Sequence, residues 1–217
     1  MGNHYEIYRK SGKFMPIPSK TESIQTLSVK DRIYNVVCEW IITGVLKSGE
    51  KILDSELAQY FDVSRTPVRE AIQMLERQKL VKVIPSRGTI VANIEIEDTE
   101  KCYRLLAEIQ AFAAEEACER ISEEQLLSGD TRFHEIIVKV ADNEYVEDFS
   151  RILQLHISRI RYHYFHENVN PIRSVGHHEK ILQALVERNK AKAKEIMREH
   201  WLLSMEYSLD IARKMQI

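Results

Sequence analysis

At 217 residues the chain is long enough for one large or two small domains with a buried core. Apolar residues make up 44% and charged residues 29%, which excludes wholesale disorder. No apolar run approaches the roughly 18 residues of a membrane span, and the start of the chain lacks a signal-peptide apolar stretch, so no membrane partner and a cytoplasmic location are expected. The net charge of −2 conceals an asymmetry: residues 1–92 carry 14 Lys and Arg against 10 Asp and Glu, whereas residues 93–217 carry 17 against 23. A basic front on an acidic back points the front half at a polyanion.

Residues 1–26 are polar and broken by "KFMPIPSK", and are expected to form an N-terminal extension. Helical spacing then recurs in "VKDRIYNVVCEWIITG", with Ile33, Val36, Val37, Trp40 and Ile41 on one stripe that stops at Gly44. "LDSELAQYFDV" predicts a short second helix burying Leu57, Ala58 and Phe61. "SRTPVREAIQMLERQKL" predicts a third, with Val68, Ala71, Ile72 and Leu75 at i, i+3, i+4 and i+7. "LVKVIPSRGTIVANI" is two alternating runs around "PSRG", the pattern of a β-hairpin. Two short helices joined by a tight turn and followed by a hairpin make a winged helix-turn-helix over residues 27–93.

Pro67 falls where the third helix begins, and its position is informative. First-turn N–H groups have no intrahelical partner, so proline loses nothing there and its fixed φ favours the start; Ser64 or Thr66 can cap the turn. Arg65 and Arg69 then stand one turn apart at the end of the helix that enters the major groove, where Arg bonds guanine or phosphate. Arg87 and Gly88 form a basic hairpin tip that can reach the backbone or minor groove, with Gly88 permitting positive φ. Two arginines alone would better suit a solvated helix face. Their conjunction with the turn, the buried stripe and the basic tip selects DNA.

The stretch from about residue 30 to 92 resembles the DNA-binding domain of GntR-family bacterial regulators. Gly44, Gly49, Glu56-Leu57-Ala58, Val63 to Ala71, Leu75, Leu80-Val81 and Arg87-Gly88 all fall where that pattern has them. The resemblance implies DNA contacts by Ser64, Arg65, Thr66, Arg69, Arg87 and Gly88. One departure is Ser55, where many members carry Arg before the "EL" of the second helix.

Beyond a boundary near residues 93–98, with Asp98 or Thr99 as the expected N-cap, residues 98–217 predict an all-α bundle of five or six helices. The fold class is therefore mainly α, with the hairpin wing as its small β element. Seven of the eight histidines lie here. In "GDTRFHEIIVKV", Asp130 and His134 are spaced i, i+4 and share a helix face. His178 lies on the buried stripe of Ile181, Leu182 and Leu185, with His177 rotated away, and His200 shares a face with Ile196 and Leu203. One carboxylate and three imidazoles suit a divalent transition metal such as Zn²⁺, Ni²⁺, Co²⁺ or Mn²⁺, and bundle cores carry such sites. Core histidines bonded to backbone or carboxylates fit the same periodicity, so spacing alone leaves both readings open. His156, His163 and His166 fit a surface or groove-lining role, the last two as spare ligands. The three cysteines, Cys38, Cys102 and Cys118, are far apart and expected to be reduced.

This half resembles FCD, the all-helical effector domain of the FadR-type GntR subfamily, through "DTRFH", "HEKIL" and "MREHW". That resemblance implies Asp130, His134, His178 and His200 as metal ligands and turns Arg104 of "YRLLAE" toward the cavity as partner of an anionic effector. Asn143 matches a recurrent position with a structural role. Two departures are "ERISEEQLLSGD", which replaces a longer stretch, and Trp201, which stands where Leu is usual. The expected protein is a homodimeric, ligand-responsive transcription regulator that binds a palindromic double-stranded operator and senses a small carboxylate through a bound metal. The alternatives are a metal-dependent hydrolase fused to a DNA-binding module and a regulator with a non-metal effector domain. Glu135 points about 100° away from His134, and no hydrolase motif is present, so an enzyme is not expected.

Overall fold

The computed structural model of the chain describes residues 27–122, 133–165 and 172–215. The first helix, α1 (Val29–Ile42), opens on Ser28, whose Oγ accepts from the Asp31 amide, and buries Ile33, Val37, Cys38 and Ile41. It ends just before Gly44, which takes φ +73, a left-handed conformation that glycine adopts without a Cβ penalty. Strand β1 (Lys51–Ile52) leads into α2 (Asp54–Tyr60) and, across a turn with Asp62 at φ +51, into α3 (Arg65–Arg77). Strands β2 (Val81–Ile84) and β3 (Gly88–Val91) form the hairpin, pairing Val81 with Val91 and Ile84 with Gly88. The sheet has three strands in the order β1-β3-β2, all antiparallel. Two-residue β1 carries too little alternation to be seen in the sequence.

Val68, Ala71, Ile72 and Leu75 are buried as the periodicity of α3 requires, and they close a core with α1, α2 and the sheet. Phe61 is only half-buried, because it ends α2 and stacks on Trp40 at 5.9 Å between ring centres. Each fully buried Val or Leu side chain stabilises this small unit by roughly 1.5–3 kcal/mol.

The second bundle begins with α4 (Ile96–Arg120), and here the expected cap is displaced. Glu95, not Asp98 or Thr99, occupies the N-cap; Thr99 Oγ1 instead bonds back to the Glu95 carbonyl at 2.9 Å from inside the first turn. Glu97 and Asp98 thus sit in the first turn, where the helix dipole favours negative charge. Then follow α5 (Phe133–Val140), α6 (Glu144–Phe165), α7 (Ile172–Val186) and α8 (Lys190–Met215). Asn143 Oδ1 accepts from the amides of Tyr145 and Val146 at 3.1 and 3.2 Å, so it caps α6.

Helices α4 and α8 run antiparallel. Lys190 pairs with Glu119, Lys194 with Glu115 and Arg198 with Glu108, and Tyr103 Oη lies 2.7 Å from Ser208 Oγ. Ala107, Ala111, Ala113, Ala114 and Ala117 are wholly buried on α4, and such small side chains let neighbouring backbones approach. The two halves also touch: Leu155 of α6 packs on the core of the winged unit, and His156 Nε2 donates to the Gln78 carbonyl at 2.8 Å. All three cysteines are free thiols; Cys38 and Cys118 are buried, and burial raises the pKa of each of the three.

Candidate functional site

Two sites emerge, one on each half. On the winged unit, α3 starts at Arg65 with Ser64 at the N-cap in extended conformation, its side chain making no capping bond. Pro67 is the third helical residue, within the turn whose N–H groups lack intrahelical partners. Ser64, Arg65, Thr66 and Arg69 are all exposed, and so are Arg87 and Gly88. Arg69 Nε donates to Asp54 Oδ2 at 2.8 Å, tying the start of α3 to the start of α2. That bond, reinforced by the positive charge of Arg65, holds the Asp54 carboxyl below its usual pKa. At the wing tip the Arg87 amide closes a turn onto the Ile84 carbonyl, and Ser86 and Gly88 take φ +64 and +88. A Cβ on Gly88 would lie 3.3 Å from Lys51 Cε, so glycine also makes room for β1.

In the bundle, α5, α7 and α8 each contribute one histidine to a common point. His134 Nε2 and His178 Nε2 are 3.2 Å apart, and ring nitrogens of His134, His178 and His200 all lie within 4.8 Å of one another. Two nitrogens bound to one Zn²⁺ at about 2.0–2.1 Å with angles near 90–110° are separated by roughly 2.9–3.4 Å, so the His134–His178 spacing fits a shared ion, and nitrogens as far as 4.8 Å apart would have to draw together around it. Phe133 lies against His178 at 4.9 Å between ring centres, and Trp201 lies against His134 at 4.8 Å. This apolar wall desolvates the imidazoles. Burial, then the neighbouring His200 and His178 rings, lowers the His134 pKa well below 6.5; burial, then His178 and His177, takes His200 down to about 3. Both rings are therefore neutral at pH 7, the form that ligates metal. His134 Nδ1 is sealed from solvent with no partner among the described residues. Three clustered imidazoles, those of His134 and His200 neutral, with an orphaned nitrogen are a poor apolar core and a good ligand set for a borderline-soft divalent cation.

Comparison with known proteins places both halves. Residues 29–91 match the bacterial regulatory proteins of the gntR family, and residues 115–202 match the FCD domain. The chain belongs to the GntR family. It is 26% identical over 195 residues to the uncharacterised HTH-type transcriptional regulator YdhC of Bacillus subtilis, covering 78% of this chain and 86% of that one. It is 24% identical over 203 residues to the HTH-type transcriptional repressor RspR of Escherichia coli, covering 83% and 89%. Among solved structures, E. coli McbR/YncC superposes with a TM-score of 0.66 at 21% identity, covering 85% of this chain and 99% of that one. A GntR regulator from Rhodococcus sp. RHA1 gives 0.58 at 20%, covering 83% and 97%. These likenesses show the fold: a GntR winged helix-turn-helix joined to an FCD bundle. The chain is a transcription regulator with a DNA-binding and an effector domain.

Not every expected GntR or FCD residue falls where the sequence placed it. Asp130 lies outside the described residues, as does His166. Arg104 does not enter the histidine cluster. It is 62% exposed and pairs with Glu100 one turn away, at 2.7 Å, because Tyr103 and Leu106 hold the buried face of α4. His177 is not turned away: its ring centre is 6.1 Å from that of His200 and its Nδ1 is buried without a partner among the described residues. Consecutive residues differ by 100° on a helix, and α7 meets α8 along a front wide enough to include both. Glu135 is exposed, away from the cluster, and His163 is exposed. The sequence reading missed Phe133 as part of the wall, although its place beside His134 on a strongly amphipathic helix was the available signal. No described helix is long and apolar enough to cross a membrane.

Proposed function

We propose that this GntR/FCD protein is a cytoplasmic, metal-dependent repressor of the FadR type, which acts as a homodimer on a palindromic operator. The observation that carries the reading is the convergence of His134, His178 and His200 on one point of the effector bundle. Asp130, four residues before His134 in the sequence, would complete the ligand set, and Zn²⁺, Ni²⁺ and Mn²⁺ suit it. A metal held by imidazoles and one carboxylate keeps open positions, and a small carboxylate effector would ligate there. With Arg104 committed to Glu100, the ion itself supplies the positive charge for that effector.

Ser64, Arg65, Thr66 and Arg69 would read the major groove and Arg87 and Gly88 the backbone or minor groove. Support for a repressor comes from RspR and from the gluconate operon transcriptional repressor of Bacillus subtilis, which is 27% identical over 175 residues, covering 78% of this chain and 62% of that one. A two-fold dimer is supported by exposed apolar side chains, Leu105 and Phe112 on α4 and Tyr145 and Phe149 on α6, two helices that pack on each other. Effector binding must favour one relative placement of the two wings to change operator affinity.

The deciding experiment is elemental analysis of protein purified without added metal, wild type beside a His178→Ala/His200→Ala double variant. Near-stoichiometric metal in the first and loss in the second is expected. Equal metal content in both would sink the assignment and leave a regulator with structural histidines.

A further inference from the structure

A second cavity, remote from the histidine cluster, lies where the winged unit meets the bundle. It has a volume of about 550 Å³ and is walled by β2, by the connection from β3 to α4, by the first turns of α4 and by α6. Arg159 of α6 forms part of the wall and is only 4% exposed. Its Nη2 donates to the Ala92 carbonyl and, at 3.2 Å, to Ser48 Oγ, both neutral acceptors. Its Nε is buried with no partner, and no carboxylate pairs with the guanidinium among the described residues. An arginine cannot shed its charge to escape burial, so a guanidinium with only neutral acceptors is a costly arrangement that an anion would relieve.

The surroundings favour such an anion. Lys79 and Lys82 of the winged unit face the same cavity with Lys101 of α4. The nearby carboxylates are partly committed: Glu76 accepts from the Val83 amide at 3.1 Å, and Asp98 pairs with Lys101 at 2.8 Å. Glu95 remains on the rim as an exposed acid with no side-chain partner among the described residues. His156, also on this wall, donates to the Gln78 carbonyl; burial lowers its pKa although that bond alone would raise it.

We propose that this interdomain cavity binds a small oxyanion, carboxylate or phosphate, through the Arg159 guanidinium with Lys79 and Lys82 as the opposing cations. The ligand would bridge α6 of the effector domain to β2 of the wing and so fix how the reader sits on the sensor. The site is distinct from the metal centre and does not depend on it.

The test is calorimetric titration of the full-length, EDTA-dialysed protein in chloride buffer, with inorganic phosphate and, separately, with succinate. Saturable binding of one equivalent per chain by either probe is expected, and the one that saturates identifies the headgroup class. Arg159→Gln should weaken it roughly tenfold or more, as loss of a charge-assisted hydrogen bond does. Lys82→Glu, an exposed change that leaves the core intact, should weaken it at least about threefold, and it decides the matter if Arg159→Gln fails to fold. The His178→Ala/His200→Ala variant should bind as wild type does. Absence of saturation by both probes up to roughly 10 mM, unchanged affinity in Lys82→Glu, or loss of binding in the histidine variant with its fold retained would each overturn the site.

Discussion

Arg69 and Asp54 form an ion pair at 2.8 Å that spans the helix-turn-helix, from the second turn of α3 to the first residue of α2. The pair engages Nε of a side chain that is 65% exposed. If Arg69 enters the groove as proposed, this pair partly pre-orients it, and less side-chain entropy is lost on binding. The carboxylate also offsets part of its charge, which weakens attraction to phosphate in general more than it weakens a directed bond to a base.

From this pair the first expectation follows. Arg65→Ala and Arg69→Ala should each cost about 1–3 kcal/mol on specific DNA. Asp54→Ala should raise affinity for a scrambled duplex while lowering the ratio of specific to non-specific binding. Fluorescence anisotropy on an operator obtained by in vitro selection, beside a scrambled control, measures both. Unchanged specific binding in the two arginine variants would remove them from the interface.

Affinity should fall steeply as salt rises, because each neutralised phosphate releases counterions. Replacing Arg87 at the wing tip with Ala should reduce the slope of log affinity against log salt by about 1. A flat salt dependence of the wild type would argue against DNA as the partner.

The buried imidazoles set a pH dependence whose sign is fixed. Folding lowers the His200 pKa from 6.5 to about 3 and lowers that of His134 in the same direction. A base depressed in this way contributes stability that is fully present above its unfolded pKa and is lost as pH falls from about 6.5 toward 3. Metal-free protein should therefore lose thermal stability progressively over that window, followed by circular dichroism. Replacing His200 with Gln should flatten the loss, and Zn²⁺ should move it to lower pH, because a ligand of the folded state stabilises that state.

Trp201 reports on the same centre. Its ring lies 4.8 Å from His134 and 5.5 Å from His200. The chain holds only two tryptophans, so Trp40→Phe leaves Trp201 as the sole indole. Titration of that variant with Ni²⁺ should quench emission saturably, and the His178→Ala/His200→Ala background should abolish the response. Saturable quenching that survives in that background would place the metal elsewhere.

The exposed apolar side chains on α4 and α6 predict the oligomer. Leu105→Glu/Phe112→Glu should convert a dimer to a folded monomer in light scattering after size exclusion, since both side chains are already solvent-facing in one chain, at 52% and 39%. A wild-type monomer at micromolar concentration would reject this face.

The winged unit was legible because its information is local. The buried stripe of α3, the proline in its first turn and the glycine at the wing each state a backbone requirement within a few residues. Strand β1 was not legible, since two residues hold no period. The helical class of the second half and the inward faces of His134, His178 and His200 were also contained in the spacing, but whether three faces on three helices meet was not.

The sequence by itself determined the fold type of each half, because periodicity, caps and turn residues act over short distances. Only the tertiary structure decided which side chains share a point in space. It brought His177 and Trp201 to the histidine cluster, turned Arg104 out to Glu100, tied Arg69 to Asp54 and buried Arg159 between the halves. Each of these depends on helix packing angles and interhelical distances, set by the close fit of many side chains at once and carried by no single stretch of the chain.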